Sequence, residues 1–342
     1  MPVTLKDIAE EANVTLMTVS NVINGRGKAS KATVDKVMAI AARLGYVPNA
    51  AARSLAAKSS RMIGCLISGP EDENLLRNPY NAAIVGAIEP ALRHRGYHML
   101  LQGIADPSAV PAAFQAWSLD GAIFIGFYDS ALDTMAPGLA KPVVAVENYA
   151  EHPGITNIRL DDRHGGYLAT KHLIDNGHRN IAFVGPPARE HGVISERYEG
   201  YRNALAEAGI AADTSRVVPD VYSLEDGRLA GATLRRRCPS VTAAFATSDS
   251  IAVGLIQGLT ETGTTVPDDV SVVGFDDLDL GTVVTPRLTT VAQDLSAQAA
   301  TAVETLLARI ADPGSMPDDT VLGVNLVERA SVRKIGARSH RS

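Results

Sequence analysis

Cysteine, aromatic residues and long apolar runs are all scarce in this 342-residue chain, and each shortage closes a class of protein. Two cysteines, Cys65 and Cys238, cannot build a disulfide framework or, alone, a zinc site, and they suit a reducing compartment. No run of about 18 apolar residues occurs, so no spanning helix and no membrane partner is expected. The opening Met1-Pro2-Val3-Thr4-Leu5-Lys6-Asp7 lacks the apolar core of a secretion signal, so a cytoplasmic protein is expected. The eight histidines show no metal-ligand spacing, and Asp276-Asp277 with Asp279 has no matching partner cluster. Neither metal nor cofactor is therefore expected. No Gly-x-Ser-x-Gly elbow appears, and Gly25-Arg26-Gly27 follows a helical pattern and lacks a third glycine, so it is no dinucleotide fingerprint.

What is present is ordinary in bulk: 46% hydrophobic and 20% charged residues, the balance of a globular protein of two or three domains. The net charge of -6 hides an asymmetry. Residues 1–60 carry eight Lys/Arg and four Asp/Glu, a net of +4, which leaves -10 for the rest. A basic head on an acidic body suggests that the head alone meets a polyanion.

The head reads as three short helices. Thr4 can cap the first, with Asp7 completing a capping box, and the helix runs from about Leu5 to Ala12. Asn13 tolerates the left-handed backbone of a sharp turn. Thr15 can cap a second helix to about Ile23, stopped by Asn24-Gly25, and Ser30 a third that Gly45 ends. Two short helices about a tight turn form a helix-turn-helix, whose second helix enters the major groove. Its outward residues are Leu16, Met17, Thr18, Ser20 and Asn21. Asn pairs with adenine, and apolar side chains meet thymine methyls.

From residue 61 the texture changes to an α/β pattern. Short apolar runs such as Met62–Ile67, Ala122–Ile125 and Val143–Val146 alternate with helical segments such as Ala82–Arg95. A second set follows, with strands near 180–184, 243–246 and 270–275. Two sets predict two doubly wound parallel-sheet lobes, with ligands at the carboxyl ends of the strands.

Specific blocks carry a resemblance. Val3-Thr4-Leu5-Lys6-Asp7-Ile8-Ala9, Val14–Asn24 and Leu44-Gly45-Tyr46-Val47-Pro48-Asn49 resemble the DNA-binding head of the lac repressor/galactose repressor family. In the body, Asn78-Pro79-Tyr80, Gly177–Ala182, Arg197–Tyr201, Val272–Asp277 and Pro286–Val291 are similar to that family's landmarks. The resemblance implies a helix-turn-helix domain at 1–48 and a hinge helix at 49–60. It implies an effector-binding and dimerisation domain at 61–342, built like a periplasmic binding protein. The implied lobe 1 is about 61–160 and 292–324; lobe 2 is about 161–291 and 325–342, so the chain crosses near 160, 291 and 324.

The same resemblance implies site residues. Thr4, Leu5, Thr15, Leu16, Met17, Thr18, Ser20, Asn21 and Asn24 would lie on DNA, with Leu16, Met17 and Asn21 choosing bases. In the hinge, Leu55 would wedge into the minor groove, with Arg53 and Lys58 facing phosphates. Arg197 and Asp276 would hold the effector, Arg197 through its five-donor fork. Tyr222 would pack on a ligand face. Ser248 stands where many members carry Asn, a shorter group with one hydroxyl. Ser68, Tyr80, Tyr128, Glu147 and Asp162 are further candidates at strand ends and adjacent loops.

Other features are discounted. Arg235-Arg236-Arg237 ends a helical segment, where cations suit the dipole. Trp117 is expected to pack on a helix, and His178 to be structural. The expected function is a ligand-responsive repressor that binds a pseudo-palindromic operator as a homodimer and takes a small molecule, a sugar by preference, between the lobes. A pure solute-binding protein would have a signal peptide and no head; an enzyme would need an acid/base pair or triad. The tail 329–342 has no heptad pattern and is expected to fray, without joining dimers into tetramers.

Overall fold

The structure is a computed structural model that describes residues 3–23, 29–46, 59–72, 74–127, 131–132, 135, 139, 141–149, 152–188 and 191–335. Contacts divide the chain into two compact units, Met1–Met62 and Ile63–Ser342.

The first unit holds α1 (Leu5–Ala12), α2 (Leu16–Ile23) and α3 (Lys31–Leu44). Thr4 caps α1: its hydroxyl accepts from the Asp7 amide, and the Asp7 carboxylate accepts from the Thr4 amide at 2.7 Å. Asn13 takes the left-handed backbone, φ 52°, that turns the chain toward α2. Thr15 accepts from the Thr18 amide at 3.1 Å and so starts α2. Ser30 does the same for α3 through Thr33. Ile8, Ala12, Val19 and Val37 close a small core between the three helices.

The second unit contains two six-stranded sheets. Its elements, in chain order, are β1 (Met62–Ser68), α4 (Pro79–His94), β2 (His98–Ile104), α5 (Val110–Ala116), β3 (Gly121–Ile125), β4 (Val143–Val146), β5 (Ile155–Leu160), α6 (Asp162–Asp175), β6 (Ile181–Val184), α7 (Val193–Glu207), β7 (Val217–Val218), α8 (Leu224–Arg237), β8 (Ala243–Ala246), α9 (Asp249–Glu261), β9 (Ser271–Asp276), α10 (Leu280–Val283), β10 (Thr289–Ala292), α11 (Leu295–Ala311), β11 (Thr320–Leu322) and β12 (Asn325–Val327). The sheet orders are β11-β5-β4-β3-β1-β2 and β12-β10-β9-β8-β6-β7. Within the second sheet β12 runs antiparallel to β10, whereas β10 is parallel to β9.

The two orders repeat one pattern: β1 to β5 and β6 to β10 occupy matching places. Central strands such as β3, β4 and β8 are buried on both faces, which is why they read as unbroken apolar runs. The chain passes between lobes three times, at 160–162, 292–295 and 322–325, because β5 and β11 lie in the first sheet and β10 and β12 in the second. α11, which follows the second crossing, packs on α4 and on β3 to β5.

Two expectations are corrected. The segment 329–335 is pinned rather than frayed: Ser331 is fully buried, and the Ile335 amide donates to the Asn176 carbonyl at 2.8 Å. His178 helps, its imidazole lying 3.0 Å from the Thr242 hydroxyl and 3.2 Å from the Arg333 carbonyl. Residues 336–342 lie outside the described residues. Trp117 ends α5 as its C-cap and stays 54% exposed, so it is not a packing residue. No described helix is long and apolar enough to cross a membrane.

Candidate functional site

In the first unit, α2 presents Leu16 and Met17 to solvent, 52% and 70% exposed, while Val19 and Val22 turn inward. Large apolar side chains at the start of a helix gain nothing from water, so their exposure marks a contact surface. Thr18, Ser20 and Asn21 are half-buried along the same helix. Thr4 and Thr15 are exposed and spend their hydroxyls on capping, whereas Leu5 packs on the small core. Asn24, Arg53, Leu55 and Lys58 lie outside the described residues.

In the second unit a cavity of about 930 Å³ opens where the strand ends of both sheets meet. Its floor is built by pairs of elements in matching places. Glu147 follows β4 of the first sheet, and Asp276 ends β9 of the second. Both hold a backbone that side chains rarely adopt, φ 55° at Glu147 and 122° at Asp276. Such strain costs energy and persists where the surroundings impose it. Here it turns two carboxyls from opposite lobes toward one space.

Arg197 lines the same cavity from the first turns of α7 and is 4% exposed. Its Nε donates to Asp162 Oδ1 at 2.8 Å and its Nη1 to the Thr247 carbonyl at 2.5 Å. Its guanidinium lies 3.4 Å over the Phe275 ring, a stacked cation on an aromatic face. Asp276 Oδ1 is 3.9 Å from Nη1 and accepts from Gln293 Nε2 at 2.8 Å. The Tyr149 hydroxyl donates to Asp162 Oδ2 at 2.7 Å. Glu147 Oε1 and Thr247 Oγ1 are buried without a hydrogen-bond partner among the described residues.

Burial dominates the electrostatics. It pushes Glu147 up to about 8, helped by the nearby Asp162 charge. It pushes Asp276 up to about 8 against the pull of Arg197. Asp162 also rises through burial, with Arg197 opposing. Burial works against the Arg197 charge too, but Asp162, Asp276 and Glu147 together outweigh it and hold its pKa above the ordinary value. Burial and Glu147 raise the Tyr80 phenol.

Of the residues expected at this site, Tyr80, Glu147, Arg197, Tyr222, Ser248 and Asp276 line the cavity. Tyr222 stands 58% exposed. Ser248 also caps α9, accepting from the Ile251 amide. Asp162 is fully buried behind Arg197 and does not line the cavity. Ser68 ends β1 outside the lining as well. Tyr128 lies outside the described residues. Sequence reasoning missed Thr247, Phe127, Asn148 and Gln293. The lone signal for them was their place at the carboxyl end of a buried strand. Among the described residues no cluster of His, Cys, Asp or Glu could hold a metal.

A DNA-reading head and a two-lobed body with a polar cleft define a ligand-responsive regulator of transcription. Residues 4–49 match the family described as bacterial regulatory proteins, lacI family, and residues 170–332 match the periplasmic binding protein-like domain. The ribose operon repressor of Haemophilus influenzae is 33% identical over 96% of this chain and 98% of its own. A solved lac repressor dimer, bound to operator and the anti-inducer ONPF, covers 97% of this chain and 100% of its own at 27% identity and TM-score 0.84. A regulator of this family from Enterococcus faecium, solved with bound ribose, covers 80% of this chain and 100% of its own at 29% identity and TM-score 0.71. The chain belongs to the lacI family of bacterial regulatory proteins. It is a DNA-binding transcriptional repressor that responds to a small molecule, and not an enzyme.

Proposed function

We propose that the effector is a sugar and that it binds on Arg197, Asp276, Glu147 and Tyr80, with Tyr222 and Ser248 completing the cleft and Tyr128, outside the described residues, as a further contact. The observation that carries this reading is the guanidinium of Arg197 held by Asp162 and beside Asp276, in a cavity of about 930 Å³ that Glu147 of the other lobe also lines. A planar fork beside fixed acceptors suits vicinal hydroxyls. The ribose named for one relative and present in another makes pentoses and short oligosaccharides the first candidates.

The DNA-reading role falls to Leu16, Met17, Thr18, Ser20 and Asn21 on α2, flanked by Thr4, Leu5, Thr15 and Asn24. In the segment 49–60 it falls to Arg53 and Leu55. The reading divides the chain into a DNA-binding domain at 1–48, that hinge, and an effector and dimerisation domain at 61–342. Two heads related by two-fold symmetry read the two halves of a palindrome, so the working form is a homodimer in the cytoplasm. Effector closes the lobes across the three crossings and separates the hinges, which releases operator.

The test is an operator-binding titration against a panel of sugars. One sugar should release the wild type, and Arg197→Ala and Asp276→Asn should both retain operator while ignoring that sugar. A sugar that still releases operator from both variants would move the site out of this cleft.

A further inference from the structure

We propose that the cleft selects its ligand by charge as well as by hydroxyls, and that the effector is a polyol carrying a protonated amine. This rests on the cleft being the effector site, as read above, and goes beyond it in naming the ligand class.

Glu147 and Asp276 line the floor with a single cation there, Arg197, and Asp162 is buried behind that cation. Toward the mouth the lining adds Asp72 and Glu225 against Arg77, with His191 beside them, so acids still outnumber bases. Glu225 is itself engaged with Arg228 at 2.5 Å. Arg197 has five donors and spends one on Asp162 and one on the Thr247 carbonyl. Its other donors can reach ligand oxygens, but its charge is already matched by Asp162, and Glu147 and Asp276 ionise more readily beside an added cation. A phosphate ester or a carboxylate would enter a floor that has no positive charge to spare.

The unmet demand is for donors. Glu147 Oε1 is buried and unpartnered among the described residues, as is Thr247 Oγ1. Asp276, opposite, is held by Gln293 and by the Asp249 amide. An ammonium group brings three donors and the missing charge to this place. The groups facing Glu147 are Tyr80 from α4, Asp162 from the start of α6, Arg197 from α7 and Asp276 from β9. Of these Arg197 and the Tyr80 hydroxyl favour its ionised form, and burial with the two aspartates outweighs them. Without a cationic ligand Glu147 keeps its proton; with one, the proton leaves to solvent and a carboxylate–ammonium pair forms. Well below pH 8 up to one proton is released per ligand bound, and the ligand's own proton stays on nitrogen. Neutral polyols release none by this route.

The experiment is calorimetry on the full-length protein with matched trios at pH 6.5 and pH 8: ribose, 2-amino-2-deoxyribose and ribose 5-phosphate; glucose, glucosamine and glucose 6-phosphate; galactose, galactosamine and galactose 6-phosphate; cellobiose with its diamino and phosphate derivatives. In the trio that fits, the amine should bind about tenfold or more tightly than its neutral parent, as a charge-assisted bond allows. That ratio should widen from pH 6.5 to pH 8, and the phosphate should not bind. In Glu147→Gln the ratio of amine to parent should fall toward one, with Glu89→Gln, exposed on α4 and outside the cavity lining, as a control that keeps it. A neutral sugar or phosphate that binds more tightly than its amine overturns the inference, and a phosphate that binds and releases operator does so while leaving the cleft as effector site. If no trio binds at any charge, the sugar reading fails first and this inference falls with it.

Discussion

Arg197 Nε donates to Asp162 Oδ1 at 2.8 Å, and that single bond joins the floor of the cleft to the first crossing between lobes. Asp162 opens α6 immediately after β5 leaves the first sheet. α6 and α7 come close enough for the pair to meet because glycines line their contact. A Cβ on Gly166 would sit 2.1 Å from the Arg197 carbonyl, and one on Gly200 would sit 2.0 Å from the Arg163 carbonyl. Gln293 does the same work at the second crossing, holding Asp276 from between β10 and α11. Ligand contacts on either carboxyl are thereby felt at a crossing.

Removing one partner of a buried ion pair leaves the other charge without compensation. Arg197→Met should therefore lower stability by about 3–5 kcal/mol, and Arg197→Met with Asp162→Leu by clearly less. Urea unfolding of the wild type and the three variants, including Asp162→Leu alone, closes the cycle. Additive losses, with the double variant losing as much as the two single variants together, would mean that the pair is not coupled.

Helix packing in the second lobe gives a second test. A Cβ on Gly258 of α9 would sit 1.9 Å from the Arg228 carbonyl on α8, whereas one on Gly86 of α4 meets nothing within 4 Å. Gly258→Ala should destabilise by about 1–3 kcal/mol through overpacking. Gly86→Ala should stabilise by about 0.5–1 kcal/mol, since alanine restricts the unfolded chain and suits a helix. Thermal unfolding of both reads the contrast, and the same sign in both would refute it.

Local rules made much of this legible in sequence. Thr4, Asn13, Thr15 and Ser30 mark turns and caps whose chemistry is local, and the structure places all four in those roles. Strands such as Val143–Val146 stood out because burial on both faces makes them uniformly apolar. β10, β11 and β12 are short and mixed, Thr320–Leu322 for instance, and β5 is interrupted by polar residues, so none has a pattern until a neighbouring strand pairs with it. The site divided the same way. Arg197 and Asp276 were visible through the family's blocks, but Thr247 and Gln293 matter through partners that fold brings from 50 and 17 residues away. Ser331 looked like part of a loose tail because nothing local shows that its hydroxyl donates to the Val272 carbonyl.

Stability should fall as pH rises from 7 to 8.5. Burial pushes Glu147 and Asp276 up to about 8 and Asp249 up to about 7, whereas unfolded carboxyls lose their protons near pH 4. Between those limits the folded protein binds more protons than the unfolded chain, so raising pH favours unfolding until the folded groups have titrated. His172 and His178 act oppositely. Burial lowers their pKa, so their contribution is full above 6.5 and is lost as pH falls further. A scan above pH 7 isolates the carboxyls. The urea midpoint should drop across it, and Glu147→Gln should make the drop shallower; a midpoint that rises would contradict the assignment.

Operator reading should separate from head stability at one helix. Met17 is 70% exposed and Val19 is fully buried two residues on. Val19→Ala removes core packing and should unfold the head, while Met17→Ala removes a side chain that touches solvent and should leave its melting unchanged. If Met17 meets base edges, its loss should weaken operator binding by about 1–3 kcal/mol at the base pair it reads. The slope of log affinity against log salt should stay the same, because that slope counts neutralised phosphates and methionine carries no charge. Binding measured at several salt concentrations, on operators varied one base pair at a time, gives both quantities. A changed slope with uniform weakening across operators would assign Met17 to positioning on the backbone and leave base choice to Leu16 and Asn21.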